Sequence, residues 1–311
     1  MTAERAGDDR ARTIFLGTGG FGRASLRALH GHDAVRLVGI VSGPTRNRPS
    51  PVALVGSELG VDPILTPERL RGPGSIDAVL ALEPDLLVLA DYGQIVPAAL
   101  LGLRHGALNL HPSLLPRHRG AIPIPAAILA DDGETGVTLM RMDAGLDTGP
   151  IVAQERRTLA GSETAPQLED ALAKVAADLL DRTVGPWIRG ELEAREQPAD
   201  GATLSTRLRR EDGRLDPHLP AAALERHVRA LQPWPGSFVD TDLGRIVVWV
   251  ARAELSRGAQ PGAFDEHGLA VAGGERLALI EVQPAAGKRM SWEAFRRGRP
   301  GIVGTMVSPR P

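Results

Sequence analysis

An amide, an imidazole and a carboxylate, Asn109, His111 and Asp147, fall within the stretch that runs from Asn109 to Gly149. The first two open the run Asn-Leu-His-Pro-Ser-Leu-Leu-Pro-Arg-His-Arg-Gly, and the third closes Met-Asp-Ala-Gly-Leu-Asp before Thr-Gly. Asn109 and His111 are two apart, so at a strand end both side chains lie on one face. A hydrogen-bond donor beside a general base, with an acid from a glycine-flanked loop, suits acyl transfer through a tetrahedral intermediate. Singly, each residue has a plainer reading. Asn and His often cap strand ends, and an Asp between glycines can simply order its own turn. Their joint occurrence, in order, around the Ser-Leu-Leu-Pro run carries the chemistry.

For these groups to meet, the chain has to deliver them to one rim. Residues 12–16 read as a buried strand opening into Gly17-Thr18-Gly19-Gly20-Phe21-Gly22, with a helix over 25–30 and a second strand over Val35–Val41. Residues 84–90 and 106–110 read as further strands, the latter ending at the Asn109/His111 pair. Strands separated by helical stretches indicate βαβ units and a parallel sheet, whose ligands sit beyond the carboxyl ends of the strands. A long helix is predicted over 162–188, capped by Ser162 or Thr164, with Pro166 in its first turn and Leu168, Leu172, Val175, Leu179 and Leu180 on one stripe. Residues 197–207, polar and broken by Pro198 and Gly201, read as a linker. Beyond it, short strands over 244–250, 269–271 and 277–282 have the texture of a small β-barrel.

The chain of 311 residues is comfortable for two domains, and its 42% hydrophobic and 24% charged residues are ordinary for a globular protein. With no cysteine, disulfides, thiolate nucleophiles and Cys-ligated metals are excluded. The charged start is not expected to be a secretory signal, and no apolar run approaches the roughly 20 residues that span a bilayer. A cytoplasmic protein is expected. From Asp200 onward 16 basic residues face 13 acidic ones, against 20 and 25 before it. That mild basic bias is compatible with phosphate contacts, and solvated surface charge explains it equally well.

Gly17-x-Gly19-x-x-Gly22 also matches the dinucleotide fingerprint. That pattern calls for an acid at the end of the second strand to hold a ribose. Here Val35–Val41 is followed by Ser-Gly-Pro-Thr-Arg, leaving only an NADP site using Arg46 conceivable.

The Asn-x-His pair, the Ser-Leu-Leu-Pro-x-x-x-Gly run and the Asp of Gly-Leu-Asp-Thr-Gly resemble the folate-dependent formyltransferases, most closely the methionyl-tRNA formyltransferase family. Leu231-Gln232-Pro233-Trp234-Pro235-Gly236 and residues 281–290 are similar to that family's C-terminal domain, so the resemblance covers about residues 13–299. It implies an α/β fold: a Rossmann-like, mostly parallel sheet domain over 1–196, a linker over 197–207 and a small OB-like β-barrel over 208–311. It implies formyl transfer from 10-formyltetrahydrofolate to the α-amino group of initiator methionyl-tRNA, without a metal, by an enzyme expected to be monomeric and off the membrane. Asn109 would donate to the developing oxyanion with help from His111, and Asp147 would orient His111 and help take the amine proton. Ser113, Leu114, Leu115 and Pro116 match the family's folate-contacting segment, and Leu89, Tyr92, Gly93, Gln94 and Asp143 would wall the pterin pocket. Arg46, Arg48, Arg209, Arg210, Lys288 and Arg289 are candidate tRNA contacts, with Arg296 and Arg297 beside them, though each reads equally well as a surface residue.

One feature departs from that family, which inserts a longer basic loop after the second strand. Here residues 42–49 are all that remain of it, which leaves catalysis untouched and keeps open another acceptor, the amine of a nucleotide-linked amino sugar. A nicotinamide-dependent dehydrogenase is the third reading.

Overall fold

Short apolar runs bounded by turn formers become buried strands, and the segments between them become helices that cover the sheet. The computed structural model describes residues 9–44, 48–72, 74–256 and 260–308. In chain order it begins with β1 (Ala11–Leu16), α1 (Gly22–Gly31), β2 (Val35–Val41), α2 (Pro51–Glu58), β3 (Ile64–Leu65), α3 (Ser75–Leu80), β4 (Leu86–Ala90) and β5 (Ala107–His111). There follow β6 (Arg119–Gly120), α4 (Pro123–Leu129), β7 (Glu134–Arg141), β8 (Ile151–Thr158) and α5 (Ala165–Ile188). The main sheet has the order β3-β2-β1-β4-β5-β7-β8. Its first five strands are parallel, while β7 and β8 turn back antiparallel, making the sheet mixed at one side.

β4 sits at the centre of the seven-stranded sheet, and every residue in it is buried. β8 begins with Ile-Val-Ala and continues Gln-Glu-Arg-Arg-Thr, the half-exposed composition of an edge strand rather than a recognisable apolar run. The glycine turn between β1 and α1 packs against the end of β4. A Cβ on Gly17 would lie 2.7 Å from the Ala90 carbonyl oxygen, so only glycine lets the backbones approach. After β2, the Ser42 and Ser50 hydroxyls bond each other at 2.6 Å, and Ser50 caps α2 by accepting from the Ala53 amide. The ends of the shortened loop are thereby tied together. Arg46 lies outside the described residues.

In α5 the expected stripe is buried at Leu168, Leu172, Leu179 and Leu180, joined by Ala176 and Val184. Burying side chains of leucine size is worth roughly 1.5–3 kcal/mol each, enough to hold a helix whose intrinsic propensity alone would be marginal.

The remaining elements are β9 (Leu204–Ser205), α6 (Ala221–Ala230), β10 (Ser237–Thr241), β11 (Gly244–Leu255), β12 (Gly268–Val271), β13 (Glu275–Pro284), β14 (Met290–Ser291) and α7 (Trp292–Gly298). β10-β11-β13-β12, with β14 on β13, make an antiparallel sheet curled into a half-barrel. Leu224, Val228, Val239, Ile246, Val248 and Val282 form its core with Phe264, Trp292 and Phe295, whose rings stack at 5.7 and 5.6 Å.

Contacts divide the chain into two compact units. One holds residues up to 123, 134–158 and 168–206; the other holds 124–133, 159–167 and those from 207 on. The segment expected as a linker therefore clusters with the first unit up to Thr206. No described helix is long and apolar enough to cross a membrane.

Candidate active site

β5 lies between β4 and β7, pairing Asn109 with Leu89 on one side and with Met140 on the other. Strand alternation puts Asn109 and His111 on the same face at its carboxyl end. His111 is buried, and its Nε2 lies 2.9 Å from the His118 carbonyl oxygen. A carbonyl can only accept, so Nε2 carries the proton and Nδ1 is left for chemistry. Nδ1 faces Asp147 Oδ2 at 3.8 Å, too long for a hydrogen bond, so the carboxylate acts on the ring through its charge. The hydrogen bond that fixes the ring comes from the His118 carbonyl, which nothing in the sequence singles out.

Burial pushes the His111 pKa below the usual imidazole value, opposed by the Asp147 charge and the hydrogen bond to His118. The ring is therefore neutral near neutral pH, with a basic Nδ1. Asp147 Oδ2 accepts from the Gly120 amide at 2.8 Å, and Asp147 itself sits at φ 52°. A branched-at-Cβ or bulky residue would be strained there, whereas Asp tolerates it. Asp143 organises the same loop, its Oδ1 accepting from the Gly145 amide and the Thr148 hydroxyl, each at 2.9 Å.

The Ser113–Pro116 segment is held by the protein's own polar groups. Ser113 Oγ donates to the Arg117 carbonyl at 2.6 Å, and its own carbonyl accepts from Thr138 Oγ1 at 2.7 Å. Leu115 is buried, its amide donating to Thr138 Oγ1 and its carbonyl accepting from Gln154. Leu114 and Pro116 are half-buried.

Within β4, Leu89 belongs to the sheet core, together with Ile14, Leu16, Val41 and Leu87. Tyr92 packs against that core, and its buried hydroxyl has no partner among the described residues. Burial pushes the phenol up to about 12, so it stays protonated and can donate. Gly93 is exposed. Gln94 points elsewhere: its Oε1 accepts from the Leu70 amide at 2.7 Å and its Nε2 donates to the Pro67 carbonyl at 3.2 Å, bracing the neighbouring loop. Among the described residues the Asn109 carboxamide has no hydrogen-bond partner, and no group of metal-ligating side chains is found.

At the glycine turn two carboxylates crowd the place where a pyrophosphate would lie. In dinucleotide sites the phosphates take the amides at the start of the helix. Here a Cβ on Gly20 would lie 2.7 Å from Glu169 Oε1, so that carboxylate stands beside the turn that leads into α1. The Asp91 carboxylate packs on Gly19, and removal from water together with Glu169 raises its pKa to about 6. Two of the chain's own acids stand where an anion would bind.

In the second unit Arg209, Arg210, Lys288, Arg289 and Arg297 are exposed, Arg289 lying over the Trp249 ring at 3.4 Å from its centroid. Arg296 reaches Glu266 at 3.7 Å. Arg48, in the first unit, is exposed. A groove of about 400 Å³ within the second unit is lined by Arg226, Arg229 and Arg252 with Asp131 and Glu225. Nothing in the sequence marks these arginines: Arg226 and Arg229 have the spacing of any amphipathic helix in α6, and Arg252 lies on β11.

A family model described as Formyl transferase matches residues 11–184, and one described as Formyl transferase, C-terminal domain, matches residues 207–300. The methionyl-tRNA formyltransferase of Gluconacetobacter diazotrophicus is 43% identical over 310 residues, covering 95% of this chain and 99% of its own. That of Methylobacterium sp. (strain 4-46) is 40% identical over 308 residues, covering 96% and 99%. Among solved structures, WlaRD, a sugar 3N-formyl transferase determined with dTDP and 5-N-formyl-THF, superposes with a TM-score of 0.64 at 16% identity, over 86% of this chain and 97% of its own. An N-formyltransferase from Helicobacter canadensis, in complex with folinic acid and dTDP-3-aminofucose, gives 0.63 at 16% identity, over 86% and 99%. At such identity the likeness is one of fold.

Proposed function

This chain belongs to the formyl transferase family, and on that premise we propose that it transfers the formyl group of 10-formyltetrahydrofolate to the α-amino group of initiator methionyl-tRNA. The observation that carries the acceptor is identity of 37–43% to methionyl-tRNA formyltransferases over more than nine-tenths of the chain, both parts included. The sugar N-formyltransferases share the fold at 16% identity, which favours the tRNA substrate over an amino-sugar nucleotide. On this reading the protein acts in the cytoplasm, as a monomer, in translation initiation. Residues 1–196 carry the chemistry, 197–207 link, and the OB-like region over 208–311 holds tRNA through Arg209, Arg210, Lys288 and Arg289, with Arg46 and Arg48 as further candidate contacts.

The rim suits a folate. The buried Tyr92 hydroxyl lacks a partner among the described residues, and buried polar groups in native proteins rarely go without one; the half-buried Asn109 carboxamide is likewise open to a ligand. The donor supplies a formyl carbon on nitrogen, whose carbonyl oxygen becomes negative as an amine adds. Asn109 donates to that oxygen. Neutral His111, its Nε2–H held by His118, receives at Nδ1 the proton shed by the amine, and Asp147 stabilises the imidazolium so formed. The new carbon–nitrogen bond forms to the acceptor, the old one to the folate breaks, and the proton passes to the departing folate nitrogen. An unprotonated amine is already a competent nucleophile, so no covalent enzyme link is required.

Incubating the protein with 10-formyltetrahydrofolate and either methionyl-tRNA or an amino-sugar nucleotide tests the reading. Formyl-methionyl-tRNA should accumulate. Formylation of the sugar alone would overturn the acceptor while leaving the fold and the donor.

A further inference from the structure

Residues 197–207 have the composition of a tether, but their hydrogen bonds are those of an active-site wall. Just ahead of them Arg195 bridges Ile151 at the start of β8, with N–H···O distances of 2.7 and 2.8 Å. Gln197 then reaches back over the Asp147 loop. Its Nε2 donates to the carbonyls of Asp147 and Gly149, each at 2.8 Å. Its Oε1 accepts from Arg119 Nη2 at 2.6 Å and Nε at 3.1 Å. Thr203 Oγ1 accepts from the His118 amide at 2.8 Å, and β9 pairs with β6, setting Arg119 against Leu204 and Gly120 against Ser205. Gly120, at φ 105°, comes so close to the Ser205 carbonyl that a Cβ would fall 2.2 Å from it.

The peptides tied down in this way hold the proposed catalytic side chains. The His118 carbonyl accepts the His111 Nε2–H, and the Gly120 amide donates to Asp147 Oδ2. We propose that Gln197 is a positioning residue, joining the main chain of Asp147 to Arg119 so that the carboxylate stays opposite His111 Nδ1. Asp tolerates the positive φ at this position but does not by itself fix the loop, whereas Gln197 ties down the carbonyl of Asp147 and that of Gly149 together. Gln197 supplies both required polarities at once: an amide for two carbonyls and a carbonyl for a guanidinium. The inference rests on the roles proposed above for Asp147 and His111.

The test uses the full chain. Gln197→Met removes donor and acceptor at similar volume, while Gln197→Glu keeps the partner of Arg119 but sets a carboxylate against two carbonyl oxygens. A misplacement of about 1 Å can cost on the order of 100-fold in rate, so both variants should lose roughly 10- to 100-fold in kcat. The KM for the folate should stay near wild type. In an Asp147→Ala background Gln197→Met should cost nothing further, since there is no carboxylate left to place. Arg119→Lys, lacking the two-toothed grip, should show a milder version and decides the matter if Gln197→Met does not fold. Wild-type kcat in folded Gln197→Met while Asp147→Ala is crippled would overturn the positioning role alone. Effects that multiply in the double variant would overturn it too. An active Asp147→Ala would remove the catalytic reading and this inference with it.

Discussion

Asp147→Asn separates the charge of this side chain from its shape. The asparagine can still accept from the Gly120 amide, so the loop keeps its anchor while the negative charge beside His111 disappears. Two unit charges 3.8 Å apart attract by about 4 kcal/mol at the effective dielectric constant of roughly 20 that suits protein sites. With the proton about half transferred in the transition state, about half of that, near 2 kcal/mol, is lost, which is about thirtyfold in rate. The measurement is kcat from single-turnover formylation with saturating folate and acceptor, repeated across pH. Since Asp147 raises the His111 pKa against the lowering by burial, its neutralisation should also move the acid limb of the profile to lower pH. The plateau should fall as the limb moves. A plateau within threefold of wild type, or an unmoved limb, would refute a charge role for Asp147 and leave it a purely structural residue.

Four further outcomes are expected. Asn109→Ala should cut kcat by about a hundredfold, the usual consequence of losing one oxyanion donor, with folate affinity measured by titration little changed. Asp91→Asn should raise the melting temperature above about pH 7 and have no effect near pH 3.8. The folded carboxyl titrates at about 6 against 3.8 unfolded, so its stabilising contribution is complete below 3.8 and is lost as pH rises through 6. Titration with NAD, NADP or FAD should give no saturable binding below millimolar concentration, because the Glu169 and Asp91 carboxylates crowd the glycine turn where the phosphates would lie; tight binding of any of them would revive a dehydrogenase. Neutralising Lys288 and Arg289 together should raise the KM for methionyl-tRNA at low salt, with the difference shrinking as salt rises; a salt-independent difference would point away from phosphate contacts.

The parallel part of the sheet was legible because buried strands read as continuous apolar runs, and residues 12–16, 35–41, 84–90 and 106–110 all became strands within a residue or two. β7 and β8 were not, since Glu-Thr-Gly-Val-Thr-Leu-Met-Arg mixes polar and apolar residues without strict alternation and β8 turns charged after three residues. The small α6 and α7 escaped for a similar reason: each spans three turns or fewer, and their apolar positions only acquire meaning once the half-barrel core they cover exists. The glycine fingerprint shows the converse. Its spacing marks a tight turn between strand and helix, but what fills that turn comes from Asp91 and from Glu169, far along the chain, and local sequence cannot report a tertiary neighbour.

The same distinction runs through the site. Asn109, His111 and Asp147 were legible because their side chains are the chemically rare groups and strand alternation puts the first two on one face. What orients them is made of groups that occur at every residue: the His118 carbonyl, the Gly120 amide, the carbonyls of Asp147 and Gly149. No residue type advertises a peptide group, so a pattern search cannot find it. Gln197 was visible only as one polar residue in a polar stretch, and Arg119 only as a member of a run whose other residues drew the attention. Once His111 is held by a backbone carbonyl, however, the surrounding sequence is constrained in a definite way. His118 can change side chain without losing that hydrogen bond, whereas Gly120 cannot, because Ser205 occupies the space a Cβ would need. An active site anchored on peptide groups is therefore guarded by the glycines and by the strand pairing that place those groups, which here means the β6–β9 contact on the supposed tether as much as the catalytic side chains themselves.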